Sequence, residues 1–197
     1  PGQFVHILAD GHTLRRPISI ASIDKEKGTI RIVFEVRGKG TEEIAKKNVN
    51  EIIDIVGPLG GGGFKLLDKE KKVVCIGGGI GTPPMLALCE YYGKNATVIS
   101  GFRNASIAIL QKDFADTGAN TILCTDDGTA GKKGFVTEAL KEYIANEKPD
   151  MIYACGPHPM LKAIVAIADE NEIVTEVSLE ERMGCGVGAC LVCACKT

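Results

Sequence analysis

The sequence predicts a chain that combines an all-β part with an α/β part. We expect an N-terminal antiparallel sheet or barrel over residues 1–66, a five-stranded parallel, doubly wound domain over 67–179, and a cysteine-rich segment over 180–197. Short apolar or alternating runs separated by Gly, Asp and Lys turns predict the first part. Strands that alternate with helices predict the second. Four cysteines crowded near the end of the chain define the third.

The N-terminal strands are predicted from four runs: "QFVHIL", "ISIASI", "TIRIVFEV" and "EIIDIVG". Turn sequences such as "ADGH" and "DKEKGT" separate these runs, as is typical of antiparallel strands. The stretch "GTEEIAKK" predicts a short helix, and "GPLGGGGF" is too rich in glycine for a regular element.

The parallel domain is predicted from five buried strands: "KVVCIGG", "ATVISGF", "NTILCT", "DMIYACG" and "IVTEVSL". Helices are predicted in "PPMLALCEYYGK", "GFVTEALKEYIANE" and "PMLKAIVAIADEN". The first opens with prolines, which suit a first helical turn. The second places Val136, Ala139, Leu140, Tyr143 and Ile144 on one face. A parallel sheet in such a pattern is covered by helices on both sides.

Composition excludes several classes of function. The net charge of −2 and the absence of Trp give no basic or aromatic surface for nucleic acid. No apolar run approaches the roughly 20 residues that span a bilayer. Cys75, Cys89, Cys124 and Cys155 stand singly in apolar patterns, where a free cysteine behaves as a small hydrophobe. We therefore expect a reducing, cytoplasmic compartment.

Two glycine-containing turns lie where a parallel sheet binds ligands, at the carboxyl ends of its strands. The turn "CIGGGIGTPPM" follows a strand and precedes a helix, so its backbone N–H groups suit a phosphate. The turn "ACGPHPM" follows the fourth strand and should face the same crevice. Tight turns without a ligand remain the simpler alternative for both. The candidate residues are Gly77, Gly78, Gly79, Gly81, Thr82, Cys155 and Gly156.

The stretch "LRRPISIAS" places two arginines before a strand. An arginine followed by Pro and Ser can hold a diphosphate while the strand supports a flat ring. A solvated basic pair is the alternative, and without further evidence the better one. In "RGKGTEE", Gly40 and Thr41 offer a second anion site at a helix start, or Thr41 is an ordinary N-cap.

The terminal cysteines follow a known ligand spacing. Cys185, Cys190 and Cys193 form Cys-x4-Cys-x2-Cys, the spacing of plant-type 2Fe-2S ligands, which need a fourth cysteine further on. Interleaved glycines let the backbone wrap closely around sulfur. A zinc site is the alternative, but zinc sites prefer paired Cys-x2-Cys units with a distant second pair.

Taken in order, "PGQF", "RRPIS", "GKGT", "GPLG", "GGGIGTPPM", "CGPHPM" and "CGVGACLVC" resemble the electron-transfer subunits of NAD-linked dihydroorotate dehydrogenases. These subunits belong to the ferredoxin–NADP reductase superfamily. The resemblance covers the whole chain. The cysteine segment directly after the nucleotide domain is its narrowest marker.

The resemblance implies an FAD-binding Greek-key barrel, an NAD-binding domain, and a 2Fe-2S cluster at the interface with an FMN-containing dihydroorotate dehydrogenase catalytic subunit. It implies a heterotetramer that serves pyrimidine biosynthesis, in which electrons pass from dihydroorotate through FMN, the cluster and FAD to NAD+. No general acid or base is expected in this chain. The implied FAD positions are Arg16, Pro17, Ile18, Ser19, Val33, Phe34, Glu35, Gly40 and Thr41. The implied cluster ligands are Cys185, Cys190 and Cys193.

Two departures from the family pattern shape these expectations. Cys195 is too close to Cys193 for the usual fourth ligand, which we expect beyond Thr197. The first barrel strands are likewise expected before Pro1. Two other functions stay open: an NADPH-linked ferredoxin reductase-type subunit, for which Arg103 could meet a 2′-phosphate, and a nonenzymatic, zinc-stapled nucleotide-binding regulator. Asp126 and Asp127 add negative charge that bears on the choice between NAD and NADPH.

Overall fold

The computed structural model describes residues 1–195 and contains two sheets, one antiparallel and one parallel. The antiparallel sheet has the strand order β3-β2-β1-β4. Three consecutive strands form hairpins and the fourth returns beside the first, which is a Greek-key connection. The strands are β1 (Phe4–Ile7), β2 (Arg16–Asp24), β3 (Thr29–Ile32) and β4 (Ile55–Leu59). The Greek-key order is thus present, and closure into a barrel stays a prediction.

The interior of this sheet is formed by side chains that alternate along β1 and β2. Val5 and Ile7 pack with Ile18 and Ile20, and the helix α1 (Lys39–Ala45) adds Ile44. The hydroxyl of Thr41 lies in the first turn of α1 and accepts hydrogen bonds from the N–H groups of Arg37 and Gly38 at 3.0 and 3.1 Å. Thr41 is therefore the third helical residue, and the N-cap is Gly38, not Thr41 as the alternative interpretation held.

Two predicted strand boundaries in this part are wrong. The strand "TIRIVFEV" ends at Ile32, so Val33, Phe34 and Glu35 follow β3 instead of lying in it. Continuing the register in which Ile20 faces Ile32 would set Glu35 opposite Pro17, which has no N–H to donate. The fourth strand begins at Ile55 and extends through "GPL", which the sequence had suggested was irregular.

The parallel sheet has six strands in the order β10-β9-β5-β6-β7-β8. They are β5 (Val73–Gly78), β6 (Ala96–Phe102), β7 (Asn120–Thr125), β8 (Lys132–Lys133), β9 (Met151–Cys155) and β10 (Thr175–Ser178). The five predicted strands are all present. The sequence predicted five strands and the sheet has six. The strand that was missed is β8, because it consists of two lysines and has no apolar pattern by which a strand can be predicted.

Helices cover both faces of the parallel sheet, as predicted. They are α2 (Pro83–Tyr92), α3 (Gln111–Asp116), α4 (Val136–Asn146) and α5 (His158–Glu170). The helix α2 and Phe114 of α3 pack with side chains of β5, β6 and β9 in one hydrophobic core, on one face of the sheet. The helices α4 and α5 pack in the other cluster, and the predicted apolar face of α4 lies there. The short helix α3 was missed because six residues carry too little periodicity.

Polar contacts join strands β2 and β3 of the antiparallel sheet to the helices α2 and α3. The Ser22 hydroxyl donates to Glu90 at 2.6 Å, and Arg31 pairs with Asp113. Near the connection between the sheets, the Tyr153 hydroxyl donates to the carbonyl of Lys65 at 2.7 Å. Within residues 1–195, no helix has the length and apolar character needed to cross a membrane.

Candidate functional site

A cavity of about 330 Å³ lies between the antiparallel sheet and the carboxyl edge of the parallel sheet. Both sheets contribute to its lining, so it exists only because the two parts are packed together. Nine residues proposed from the sequence line it: Arg16, Pro17, Ile18, Ser19, Val33, Phe34, Glu35, Thr41 and Cys155. The structure therefore brings eight of the nine predicted flavin positions, all but Gly40, and one predicted nucleotide position to the same cavity.

The two arginines of "LRRPIS" have different surroundings. Arg15 forms a two-pronged ion pair with Asp54, with Nη1 to Oδ1 at 2.9 Å and Nη2 to Oδ2 at 3.1 Å. Arg16 instead lines the cavity and donates to the carbonyl of Leu14. The sequence does not distinguish the two residues. In the structure, Arg16 is the one of these two arginines that faces the cavity.

Gly40 and Thr41 lie beside this arginine in different ways. A Cβ atom at Gly40 would fall directly on the Arg16 guanidinium, so the glycine leaves room for that group. The Thr41 hydroxyl donates to the carbonyl of Gly38 at 2.9 Å while it accepts the two N–H groups of the helix start. Its hydrogen bonds are thus committed to the backbone, and it contributes to the cavity wall without acting as an anion donor.

Several lining residues were not predicted. Phe4, Arg37 and Ile80 line the cavity, and so do five residues that follow or end β10. Those five are Ser178, Leu179, Glu180, Glu181 and Met183. The signal available in the sequence was position, because these residues come straight after the last parallel strand, at the edge where such sheets bind ligands.

The two glycine turns of the parallel sheet pack backbone against backbone. A Cβ atom at Gly81 would lie 2.5 Å from the carbonyl oxygen of Cys155 and 2.7 Å from the Cα of Gly156. A Cβ atom at Gly78 would lie 2.5 Å from the sulfur of Met160. The structure thus brings these predicted residues together, and Gly79 has open space beside it at φ +54°.

Replacing Gly81 with alanine is expected to destabilise the fold by about 1–3 kcal/mol, the usual cost of overpacking. The new methyl group would meet rigid backbone at Cys155, which cannot move aside as a side chain could. Gly62→Ala is the matched control, because a Cβ atom there meets nothing within 4 Å. Urea unfolding of both variants measures the difference. Equal stability would show that the two turns are not held in contact.

Two groups at this crevice have unusual environments. The hydroxyl of Thr82, at the start of α2, is fully buried and has no hydrogen-bond partner within residues 1–195. Burial raises the pKa of the Cys155 thiol to about 11, so this group stays neutral at physiological pH. The Thr82 hydroxyl is therefore an unpaired polar atom packed beneath the glycine turn, and Cys155 gives the cavity a neutral wall and no nucleophile.

The cysteine segment brings two of its three predicted ligands together. The backbone N–H of Cys185 donates to the sulfur of Cys190 at 3.4 Å, and the N–H of Cys190 donates to the sulfur of Cys185 at the same distance. The backbone N–H groups of Cys190 and Val187 lower the pKa of the Cys185 thiol to about 6. Such N–H to sulfur bonds favour thiolates, the form that ligates metals.

The third predicted ligand is not gathered with them. Within residues 1–195, no three His, Cys, Asp or Glu side chains are close enough to hold a metal ion. Cys193 is half-buried in the same segment, and Cys190 and Cys195 are exposed. The paired thiols and their N–H donors nevertheless fit the chemistry of an iron–sulfur ligand set.

Comparison with known proteins places these features in a family. The antiparallel Greek-key sheet, the parallel sheet and the cavity between them define the two-domain class of the ferredoxin–NADP reductase superfamily. Residues 75–166 match the family model described as an oxidoreductase NAD-binding domain. The chain is 41% identical over 203 residues to the dihydroorotate dehydrogenase B (NAD(+)) electron transfer subunit of Bacillus mycoides, covering 99% of this chain and 76% of that one.

A second relative and two solved structures agree. The subunit of the same name from Fusobacterium nucleatum is 42% identical over all of this chain and 78% of its own. An NADH-dependent reduced ferredoxin–NADP oxidoreductase superposes with a TM-score of 0.86 at 31% identity, over 98% of this chain and 70% of that one. A FAD/NAD-binding domain of nitric oxide dioxygenase from Vibrio cholerae, 19% identical over 90% of this chain and 84% of its own, shares the fold with a TM-score of 0.69. The chain belongs to the family of dihydroorotate dehydrogenase B electron transfer subunits.

Proposed function

We propose that this protein is the electron-transfer subunit that carries electrons from dihydroorotate oxidation, on an FMN-containing catalytic partner, to NAD+ in pyrimidine biosynthesis. One observation carries the proposal: eight of the nine predicted flavin residues, together with Cys155 of the predicted nucleotide crevice, line a single cavity. A flavin in that cavity would contact both parts of the chain. The relatives' name, electron transfer subunit, supports the same function.

The residues at the antiparallel sheet fit FAD. Arg16 supplies a cation and a planar donor group for a diphosphate. Pro17, Ile18 and Ser19 on β2, together with Val33 and Phe34, supply a mostly apolar wall for a flat ring. When bound, FAD supplies both one-electron and two-electron chemistry, which the side chains of this chain do not possess.

The residues at the parallel sheet fit NAD. The turn of Gly77, Gly78, Gly79 and Gly81 leads into α2, and the unpaired Thr82 hydroxyl lies at the same helix start. Its open backbone at Gly79 leaves room for a ligand, and Cys155–Gly156 closes the opposite side. We infer that these residues orient the nicotinamide nucleotide toward the flavin cavity and exclude water from that edge.

The cysteine segment fits a 2Fe-2S cluster, which supplies one-electron transfer when bound. We assign Cys185, Cys190 and Cys193 as ligands, on their spacing and on the N–H to sulfur bonds at the first two. Val187, Leu191 and Val192 leave apolar side chains exposed in this segment, which suits contact with the catalytic partner in a heterotetramer.

We divide the chain into an FAD part (1–66), an NAD part (67–179) and the cluster segment (180–197). A reducing, cytoplasmic location suits this arrangement, because the four cysteines of the sheets and helices are free and buried. Membership of the family favours an enzyme subunit over the zinc-stapled regulator, and the name of the relatives favours NAD over NADPH.

An anaerobic absorbance titration of the purified protein with NADH, and separately with NADPH, tests the function. We expect a flavin band with an iron–sulfur shoulder, bleached by NADH at low concentration and by NADPH only at much higher concentration. Bleaching by NADPH alone would move the assignment to the NADPH-linked alternative. Zinc in place of iron and acid-labile sulfide, without a visible chromophore, would overturn the electron-transfer function.

A further inference from the structure

His6 is a buried polar residue for which the proposed flavin and nucleotide sites give no reason. It lies in β1, and its side chain is 0% exposed. Its neighbours Val5 and Ile7 point to the opposite face of the strand, into the apolar interior of the antiparallel sheet. An apolar side chain at position 6 would bury the same surface without burying a polar group. A buried imidazole is therefore expected to have a hydrogen-bond partner.

Both ring nitrogens of His6 lack a hydrogen-bond partner within residues 1–195. Burying a polar group without a partner destabilises a protein, because the group loses its hydrogen bonds to water and gains none in exchange. A neutral imidazole carries one N–H donor and one acceptor, so at least one donor is available to a group that binds beside it.

The neighbour of His6 is the cysteine segment. A Cβ atom at Gly186 would lie 2.6 Å from Cε1, 2.8 Å from Nδ1 and 3.0 Å from Nε2 of the ring. Gly186 follows Cys185 directly and has φ +71°, a conformation that glycine adopts without strain. The backbone of the loop between Cys185 and Cys190 thus lies against the imidazole ring.

On its other side, the His6 ring contacts Phe4, a residue of the flavin cavity wall. The ring of Phe4 lies 5.6 Å from the His6 ring, centroid to centroid, and Phe4 lines the cavity. The imidazole therefore stands between the cavity wall and the loop that carries two of the proposed cluster ligands. An unpartnered, fully buried donor at this place is the observation that needs an explanation.

We propose that His6 is a positioning residue of the cluster segment, whose imidazole N–H donates a hydrogen bond to a sulfur atom held by the loop from Cys185 to Cys190. This inference rests on the proposed 2Fe-2S cluster. A reduced cluster carries one more negative charge than an oxidised one, so a hydrogen bond to its sulfur stabilises the reduced form more. His6 thereby raises the reduction potential of the cluster and ties the loop to the strand beside the flavin site.

The test is a redox titration of the cluster, followed by electron paramagnetic resonance, in the purified cluster-loaded protein and its His6→Phe variant. Phenylalanine keeps a flat ring and removes the donor. We expect the cluster of the variant to be about tenfold harder to reduce, a lowering of its midpoint by about 59 mV. Flavin content and the flavin spectrum should stay at the wild-type level.

Two further variants separate a hydrogen bond from general packing. His6→Gln keeps an N–H donor and is expected to restore most of the potential. Val5→Ala removes a buried side chain from the same strand, on the opposite face, and should lower thermal stability without moving the potential. If Val5→Ala moved the potential as far as His6→Phe, a packing role would replace the proposal.

A measurement on the unmutated protein guards against a variant that does not fold. With ¹⁵N-labelled histidine, we expect a weak nitrogen coupling to the reduced cluster, of the size that a hydrogen bond transmits. A strong coupling would mean that a histidine ligates iron, and no coupling would mean no bond; either result overturns the inference. Absence of iron and sulfide in the wild-type protein would overturn the proposed function as well, so the two failures are distinguishable.

Discussion

Replacing Cys190 with serine is expected to abolish electron transfer from dihydroorotate to NAD+ while NADH still reduces a dye through the flavin. Serine offers a hard oxygen where iron–sulfur clusters are held by soft thiolates. It also removes the sulfur that accepts the N–H of Cys185 at 3.4 Å. Iron and acid-labile sulfide should fall to background in the variant.

The separation of the two activities follows from the layout of the chain. The lining residues of the flavin cavity lie between Gly2 and Met183, and Cys190 is not among them. Loss of the cluster should therefore leave the bound FAD, and its exchange with NADH, at the wild-type level. Assays of NADH–dye reduction and of dihydroorotate-dependent NAD+ reduction with the catalytic partner measure the two activities side by side.

Cys195→Ser is the matched control for this experiment. Cys195 is an exposed thiol of the same segment, and the ligand spacing leaves it outside the proposed set. The control variant should keep its iron, its sulfide and both activities. Loss of the cluster in Cys195→Ser with retention in Cys190→Ser would reverse the ligand assignment. Loss of dye reduction in Cys190→Ser with FAD still bound would show that the two sites are not separable.

The parts of the fold that the sequence predicts well are those with a strong periodic pattern. The apolar face of α4 was predicted because Val136, Ala139 and Leu140 recur at helical spacing, and all three are buried. The strand β8 and the helix α3 were missed because two residues and six residues are too few to show a period. The end of β3 at Ile32 depends on the strand beside it, which a local pattern does not report.

In the candidate site, too, features with a local sequence pattern were predicted, and features that depend on contacts between distant residues were not. Glycine turns such as that at Gly81 are visible in the sequence, because glycine marks places where backbones approach closely. The burial of His6 against Gly186 joins residues 180 positions apart, and no local pattern contains that contact. The choice between Arg15 and Arg16 likewise depends on Asp54, which directly precedes β4 and lies 39 residues from Arg15 in the sequence.

The different surroundings of Arg15 and Arg16 predict a large difference in FAD binding. We expect Arg16→Ala to weaken FAD binding about 10- to 100-fold. A hydrogen bond to a charged group contributes about 1.5–3 kcal/mol, and each 1.4 kcal/mol changes an equilibrium about tenfold. Arg16 lines the cavity, and Gly40 leaves the room that its guanidinium occupies. Titration of the flavin-free protein with FAD, followed by the change in flavin fluorescence, measures the dissociation constant.

Arg15→Ala is the control, because the two arginines are adjacent in sequence and equal in charge but differ in partner. Arg15 is held by Asp54 at 2.9 Å and does not line the cavity. A partly exposed ion pair contributes about 0–1 kcal/mol to stability, so this variant should melt slightly earlier and bind FAD as the wild type does. If both variants lost FAD equally, the effect would be one of net charge. If only Arg15→Ala lost FAD, the Asp54 pair would support the flavin site and Arg16 would be the solvated residue.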